Sequence, residues 1–257
     1  MFIDSHCHLD FCCFDEKRRP LLAQLATLQI NKLIIPATQA NGWDKITKLC
    51  HEHSALYYSL GFHPHFLDAF NIADLTLLKN KLRQSDQKCI ALGEIGLDKF
   101  ASAKADLQEF VFIEQLQIAE KLKLAIILHC VKKQSRVLAL LKAQNFTQGG
   151  VYHAFSGSIE VATEFIKLGF KLGIGAVITY PNSTKTRETI SKLPIESMVL
   201  ETDSPDMPLY QQHTKNNSPV NIIPIFDALN ELRKESKLQL ATQLYKNVGN
   251  IFLLSDD

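Results

Sequence analysis

The chain has 257 residues, 46% of them apolar and 21% charged, and carries a formal net charge of +1. That balance fits an ordinary globular protein and excludes a tight, non-specific nucleic-acid binder that works through overall charge. No apolar run is long enough to span a bilayer, and six cysteines without a CxxC pair favour free thiols over a disulfide or zinc-knuckle framework.

The first apolar run, 2–5, reads as a strand and leads into His6-Cys7-His8. Alternate side chains of an extended segment share a face, so His6 and His8 can reach one metal ion together. A second strand is expected at 32–36 and a third at 56–60, the latter followed by His63 and His65. The fourth, 89–93, leads directly into Glu94, a carboxylate in an otherwise apolar stretch that is costly to bury unless paired or bound to a metal. Between 107 and 123 the residues Leu107, Phe110, Val111, Ile118 and Leu122 fall on one side of a helix of 3.6-residue period. Strands at 125–129 and 150–153 end in His129 and His153. Further strands are expected at 171–174 and 198–201, the last carrying Glu201 just ahead of Asp203. Ile222, Ile225, Phe226, Leu229 and Leu232 repeat the helical spacing, and a final helix is expected to end near Phe252.

Eight strands alternating with amphipathic segments predict an α/β fold of the (β/α)8 TIM-barrel type, formed by residues 1–257 as a single domain. Ala125-Ile126-Ile127-Leu128 is apolar at every position, as parallel strands covered on both faces require. The competing doubly wound sheet brings a phosphate-binding glycine loop, and neither GxGxxG nor a P-loop occurs. In a barrel the site lies at the C-terminal strand ends. His6, His8, Glu94, His129, His153 and Asp203 all stand at or just beyond such ends and read as one two-metal site. Asp203 is placed to bind metal and to act as general base, and Glu201 to orient a ligand or to form an inward ion pair.

Five segments carry a resemblance: Asp4-Ser5-His6-Cys7-His8-Leu9-Asp10, Gly61-Phe62-His63-Pro64-His65, Gly93-Glu94-Ile95-Gly96-Leu97-Asp98, His153-Ala154-Phe155-Ser156-Gly157-Ser158 and Glu201-Thr202-Asp203-Ser204-Pro205. In that order they resemble the TatD family of metal-dependent hydrolases, and 217–219 and 247–252 resemble its closing elements. The resemblance covers essentially the whole chain. It implies a metal-dependent TIM barrel and a deoxyribonuclease activity on DNA, with one metal held by His6, His8, Glu94 and Asp203. A second metal would be held by Glu94, His129 and His153, with Glu94 bridging. Imidazole suits Zn²⁺ or Mn²⁺, and the carboxylates add tolerance for Mg²⁺.

The family usually has an arginine two residues after the histidine of strand 5, and Val131 stands there in this chain. Valine cannot grip a phosphate with two parallel hydrogen bonds, so the positive charge falls to Lys132 or Lys133. Lys99, Arg136, Lys185 and Arg187 are further candidates for a nucleic-acid backbone, and His63 for a substrate phosphate. His65 reads as a loop residue with local hydrogen bonds. Phe100, Phe155 and Tyr180 are candidates for base stacking, with core packing as the default. The expected reaction is cleavage of DNA phosphodiester bonds by water activated between two divalent ions. The alternative is a deacylase or amidohydrolase acting on an ester or amide such as an aminoacyl-tRNA or a small molecule. A near-neutral barrel of this length is expected to work as a monomer. Its start shows no secretory pattern, so a cytoplasmic location with reduced thiols and no membrane contact is expected.

Overall fold

Each of the eight expected strands is present in the computed structural model, which describes residues 1–214 and 216–254. They are β1 (Phe2–Asp4), β2 (Ile30–Pro36), β3 (Leu56–Leu60), β4 (Cys89–Asp98), β5 (Ile126–Val131), β6 (Gly150–Tyr152), β7 (Phe170–Ile174) and β8 (Met198–Leu200). Every strand pairs in parallel with the next, from β1 to β8 in chain order. Backbone bonds just beyond the last strand complete the ring. Ser5 N donates to Leu200 O at 3.0 Å, Asp203 N to His6 O at 2.8 Å and His8 N to Ser204 O at 2.8 Å. The segments bearing His6, His8 and Asp203 are therefore stitched together where the barrel closes.

Helices α1 (Arg18–Thr27), α2 (Trp43–Glu52), α3 (Ala73–Gln84), α4 (Ala105–Leu122), α5 (Gln134–Ala143), α6 (Ile159–Lys167) and α7 (Thr184–Lys192) follow the first seven strands. Two more, α8 (Ile222–Leu232) and α9 (Lys237–Phe252), follow β8. A capping box starts α9: the Ser236 side chain accepts from Gln239 N, while Gln239 Oε1 accepts from Ser236 N at 3.1 Å. Asn247 then docks this helix, donating to Ile195 O at 2.8 Å and Met198 O at 2.7 Å. No helix among the described residues is long and apolar enough to cross a membrane.

Two apolar clusters hold the layers together. The larger lies between strands and helices. The smaller takes Ile3, Ile34, Tyr57, Ile90, Ile127, Val151 and Val199 from seven strands and packs them against Val248 and Phe252 of α9. Residues two apart in a strand share a face. Ile127 and His129, Val151 and His153, and Val199 and Glu201 are such pairs, so the polar groups stand directly above this inner apolar floor.

The structure moves several expected boundaries. β4 continues through Glu94 to Asp98 instead of stopping at Gly93, and β5 runs past His129 to Val131. The β4–β5 register shifts between Leu92 and Ile95, which lets Glu94 lie within the strand and still project into the site. β6 and β8 end one residue early, leaving His153 and Glu201 just beyond them. On α4 the buried residues are Gln108, Val111, Phe112, Gln115, Leu116, Ile118 and Ala119, so Val111 and Ile118 lie inside as expected, and Phe110 is exposed. Phe110 was expected inside, but it stands next to Val111 and about 100° away from it round the helix.

Candidate metal centre

Glu94 organises the site. Its backbone N–H donates to Ala37 O at 2.9 Å, and the preceding carbonyl, Gly93 O, accepts from Ser59 Oγ at 2.9 Å. Neighbouring strands thus fix the backbone on both sides of the carboxylate. The two oxygens then divide the ligands. Oε2 lies 3.2 Å from His6 Nε2 and 3.7 Å from His8 Nε2. Asp203 Oδ1 joins that side, 3.4 Å from His6 Nε2 and 3.7 Å from His8 Nε2. Oε1 lies 2.9 Å from His129 Nδ1, 2.9 Å from His153 Nε2 and 3.2 Å from His63 Nε2.

The six residues expected to form one site do come together. Two others join them. His63 was expected to contact a substrate phosphate, yet it is buried and points at Glu94 Oε1. Asp98 received no role from the sequence. It ends β4 with Oδ2 2.7 Å from His129 Nε2 and 2.9 Å from His65 Nε2, so it anchors the far side of the His129 ring. The signal was present: Glu94, Gly96 and Asp98 share a strand face. Gly96, at φ 154°, is required between them, because a Cβ there would overlap the carbonyl of His129. Two buried glutamines of α4 hold the segments that carry these groups. Gln115 accepts from Phe62 N at 2.8 Å and donates to Phe62 O at 3.2 Å, while Gln108 accepts from Asp98 N at 2.9 Å.

The electrostatics suit a cation. Burial pushes His6 well below the usual imidazole range and brings His8 and His63 down to about 4, so these rings are neutral at pH 7 with nitrogen lone pairs available. Burial alone would raise Glu94, but its interactions with the facing imidazoles of His63, His153 and His6 and its hydrogen bond with His129 hold it well below the usual carboxylate range. Burial, aided by the Glu94 charge, raises Asp203 to about 7. His153 rises to about 10, because Glu94 and then Asp203 and Glu201 outweigh the effect of burial. Such a crowd of acceptor atoms repels itself until a proton or metal ion comes between them. The sets His6–His8–Asp203, His6–Glu94–His153 and His63–Glu94–His129 each bring their atoms close enough to hold one ion. The donor set, imidazole nitrogens with carboxylate oxygens, therefore fits a divalent metal.

A cleft of about 320 Å³ opens above these groups, walled by Phe11, Thr38, Phe66 and Asp206. At the same end of the barrel, beyond β5, β6 and β7, Lys132 and Lys185 line a groove of about 420 Å³ with Gln134, Ser156 and Thr184. The other basic candidates differ. Arg136 is paired with Glu109 at 2.8 Å, and Arg187 donates to Ile178 O. Among the aromatic candidates, Phe155 is fully buried and Tyr180 donates its hydroxyl to Pro208 O at 2.8 Å, whereas Phe100 is 67% exposed. His65 makes the expected local bond, from its N–H to His63 Nδ1, and also a long-range one between Nε2 and Asp98 Oδ2.

Comparison with known proteins places this geometry in a family. The profile described as TatD related DNase matches residues 3–253. The protein described as uncharacterized metal-dependent hydrolase YjjV, from Escherichia coli strain K12, is 38% identical over 252 residues, which cover 98% of this chain and 97% of that protein. An uncharacterized metal-dependent hydrolase of Haemophilus influenzae is 33% identical over 266 residues, covering 98% and 99% respectively. The crystal structure of YjjV, described as a TatD homolog, superposes with a TM-score of 0.95 at 37% identity, covering 99% of this chain and 98% of that one.

Proposed function

The chain belongs to the TatD family of metal-dependent hydrolases, and from that premise we propose that it is a deoxyribonuclease that hydrolyses DNA phosphodiester bonds at a two-metal centre. The observation that carries the two-metal reading is the division of Glu94, with one oxygen facing His6, His8 and Asp203 and the other facing His63, His129 and His153. Glu94 would serve both ions, His6, His8 and Asp203 would complete the first site, and His129 and His153 would complete the second, with His63 beside them. Bound divalent ions of the Zn²⁺, Mn²⁺ or Mg²⁺ type would lower the pKa of water and neutralise phosphate charge.

The protein's own groups supply the rest. Asp203, held at the closure of the barrel by its N–H bond to His6 O, accepts the proton of the attacking water. Lys132 and Lys185, in the groove at the same end of the barrel, hold the flanking phosphates of the strand. The family's description as a DNase supports the choice of DNA.

The test uses protein stripped of metal, reloaded with Mg²⁺, Mn²⁺ or Zn²⁺, and offered single- and double-stranded DNA, RNA and an aminoacyl ester. Cleavage of DNA that falls at least 100-fold in Asp203→Asn, the order expected for a lost general base, supports the reading. DNA left intact with every metal while the ester is cleaved overturns it in favour of a deacylase or amidohydrolase.

A further inference from the structure

His153 uses one ring nitrogen at the centre and leaves the other unexplained. Nε2 lies 2.9 Å from Glu94 Oε1 and 3.0 Å from His129 Nδ1. Nδ1, on the opposite edge, is buried and has no hydrogen-bond partner among the described residues. The group behind it is Glu201, whose Oε1 is 3.9 Å from that nitrogen. Glu201 is itself wholly buried. Its Oε1 accepts from Ala154 N, and its Oε2 is likewise without a partner among the described residues. A buried imidazole with a spare nitrogen thus faces a buried carboxylate across 3.9 Å, a little beyond hydrogen-bond length, through the oxygen that also accepts from Ala154 N.

The fold makes room for that carboxylate. Gly173, on β7, faces it, and a Cβ at that position would overlap Glu201 Oε1, Cδ and Oε2. Gly175 is the next residue on the same strand face, and a Cβ there would lie 3.6 Å from Glu201 Cγ. Two glycines at alternate positions thus form a niche in the barrel wall. Any side chain at 173 would displace the carboxylate. A carboxylate needed only to cap Ala154 N–H could sit at the surface, where it would remain hydrated; this one is taken fully out of water.

We propose that Glu201 is a positioning residue for His153: it accepts the Nδ1–H hydrogen bond, which sets the orientation of the ring and the tautomer that leaves the Nε2 lone pair free for a divalent cation. Histidines that ligate metals are commonly held in this way by a carboxylate on the other ring nitrogen. The inference rests on the metal centre proposed above and is independent of the choice of DNA as substrate.

Glu201→Gln tests it, because the amide keeps the volume and one acceptor. The amide oxygen stays engaged by Ala154 N–H, and the charge and the second oxygen of the carboxylate are lost. Titration of Mn²⁺ or Zn²⁺ into the stripped proteins by calorimetry should show one site weakened about 10- to 100-fold in the variant, with the circular dichroism spectrum unchanged. A second readout keeps the proposal open to refutation should the variant fail to fold. In Zn²⁺-loaded wild-type protein, the Nδ1 proton of His153 should appear in the NMR spectrum as a downfield resonance protected from exchange. Metal binding within twofold of wild type in Glu201→Gln, or an unprotected Nδ1 proton in the wild type, overturns the role of Glu201. Failure of the wild type itself to bind metal overturns the centre as a whole, and the role of Glu201 with it.

Discussion

At the scale of single residues, the site depends on carboxylates that fix imidazoles. Asp98 shows this outside the predicted set: it holds His129 by Nε2 while Nδ1 faces Glu94. Asp98→Asn should leave the fold intact and lower metal affinity about 10- to 100-fold, measured by calorimetry on stripped protein. An affinity equal to that of wild type would make the contact incidental. The six candidate ligands were legible because each is a polar residue at or just beyond the end of an apolar run. Asp98 was legible in principle, four residues after Glu94 on the same strand face. His63 was legible as a candidate but its contact with Glu94 was not, because the direction in which a loop histidine points depends on how the end of β3 packs against β4. A period-based reading carries no information about that packing.

At the scale of elements, the strands were read well and their ends less well. Apolar runs announce β1 to β8, but the register shift that extends β4 through Glu94 to Asp98 is a tertiary event with no periodic signature. α4 shows the same limit. Its apolar residues suggested one face, while the face that is buried includes Gln108 and Gln115, two polar side chains that a hydrophobic pattern discards. They are there to satisfy backbone groups of the segments that carry His63 and Asp98. Gln115→Leu keeps most of the volume and leaves Phe62 N–H and C=O unpaired, so a loss of about 2 kcal/mol is expected from urea unfolding. A variant as stable as wild type would show that water or a backbone shift replaces the glutamine.

At the scale of the whole molecule, barrel closure gathers ligands from opposite ends of the sequence over a floor of apolar residues. The cost is a set of buried charges that are strained without metal. Asp203 and Glu201 rise to about 7 and about 8 through burial, and His153 rises to about 10 through its carboxylate neighbours. All three folded values lie above the unfolded ones, so the folded state binds more protons and its advantage is lost as pH rises through them. His6, His8 and His63 shift the other way, and their effect is complete by about pH 6.5, the unfolded value for histidine. The stripped protein should therefore melt at a lower temperature at pH 8.5 than at pH 6.5, and a divalent ion should raise the melting temperature more at the higher pH. A stripped protein that gains stability over that range would contradict the arrangement of charge.

The two-metal centre is tested most directly by loading stripped protein with Mn²⁺ and locating the ions by anomalous X-ray scattering, with the bound metal counted in solution. Two ions per chain are expected, one beside each oxygen of Glu94, and His129→Ala combined with His153→Ala should leave one. A single ion in the wild type, or two that persist in the double variant, would contradict the division of ligands at Glu94.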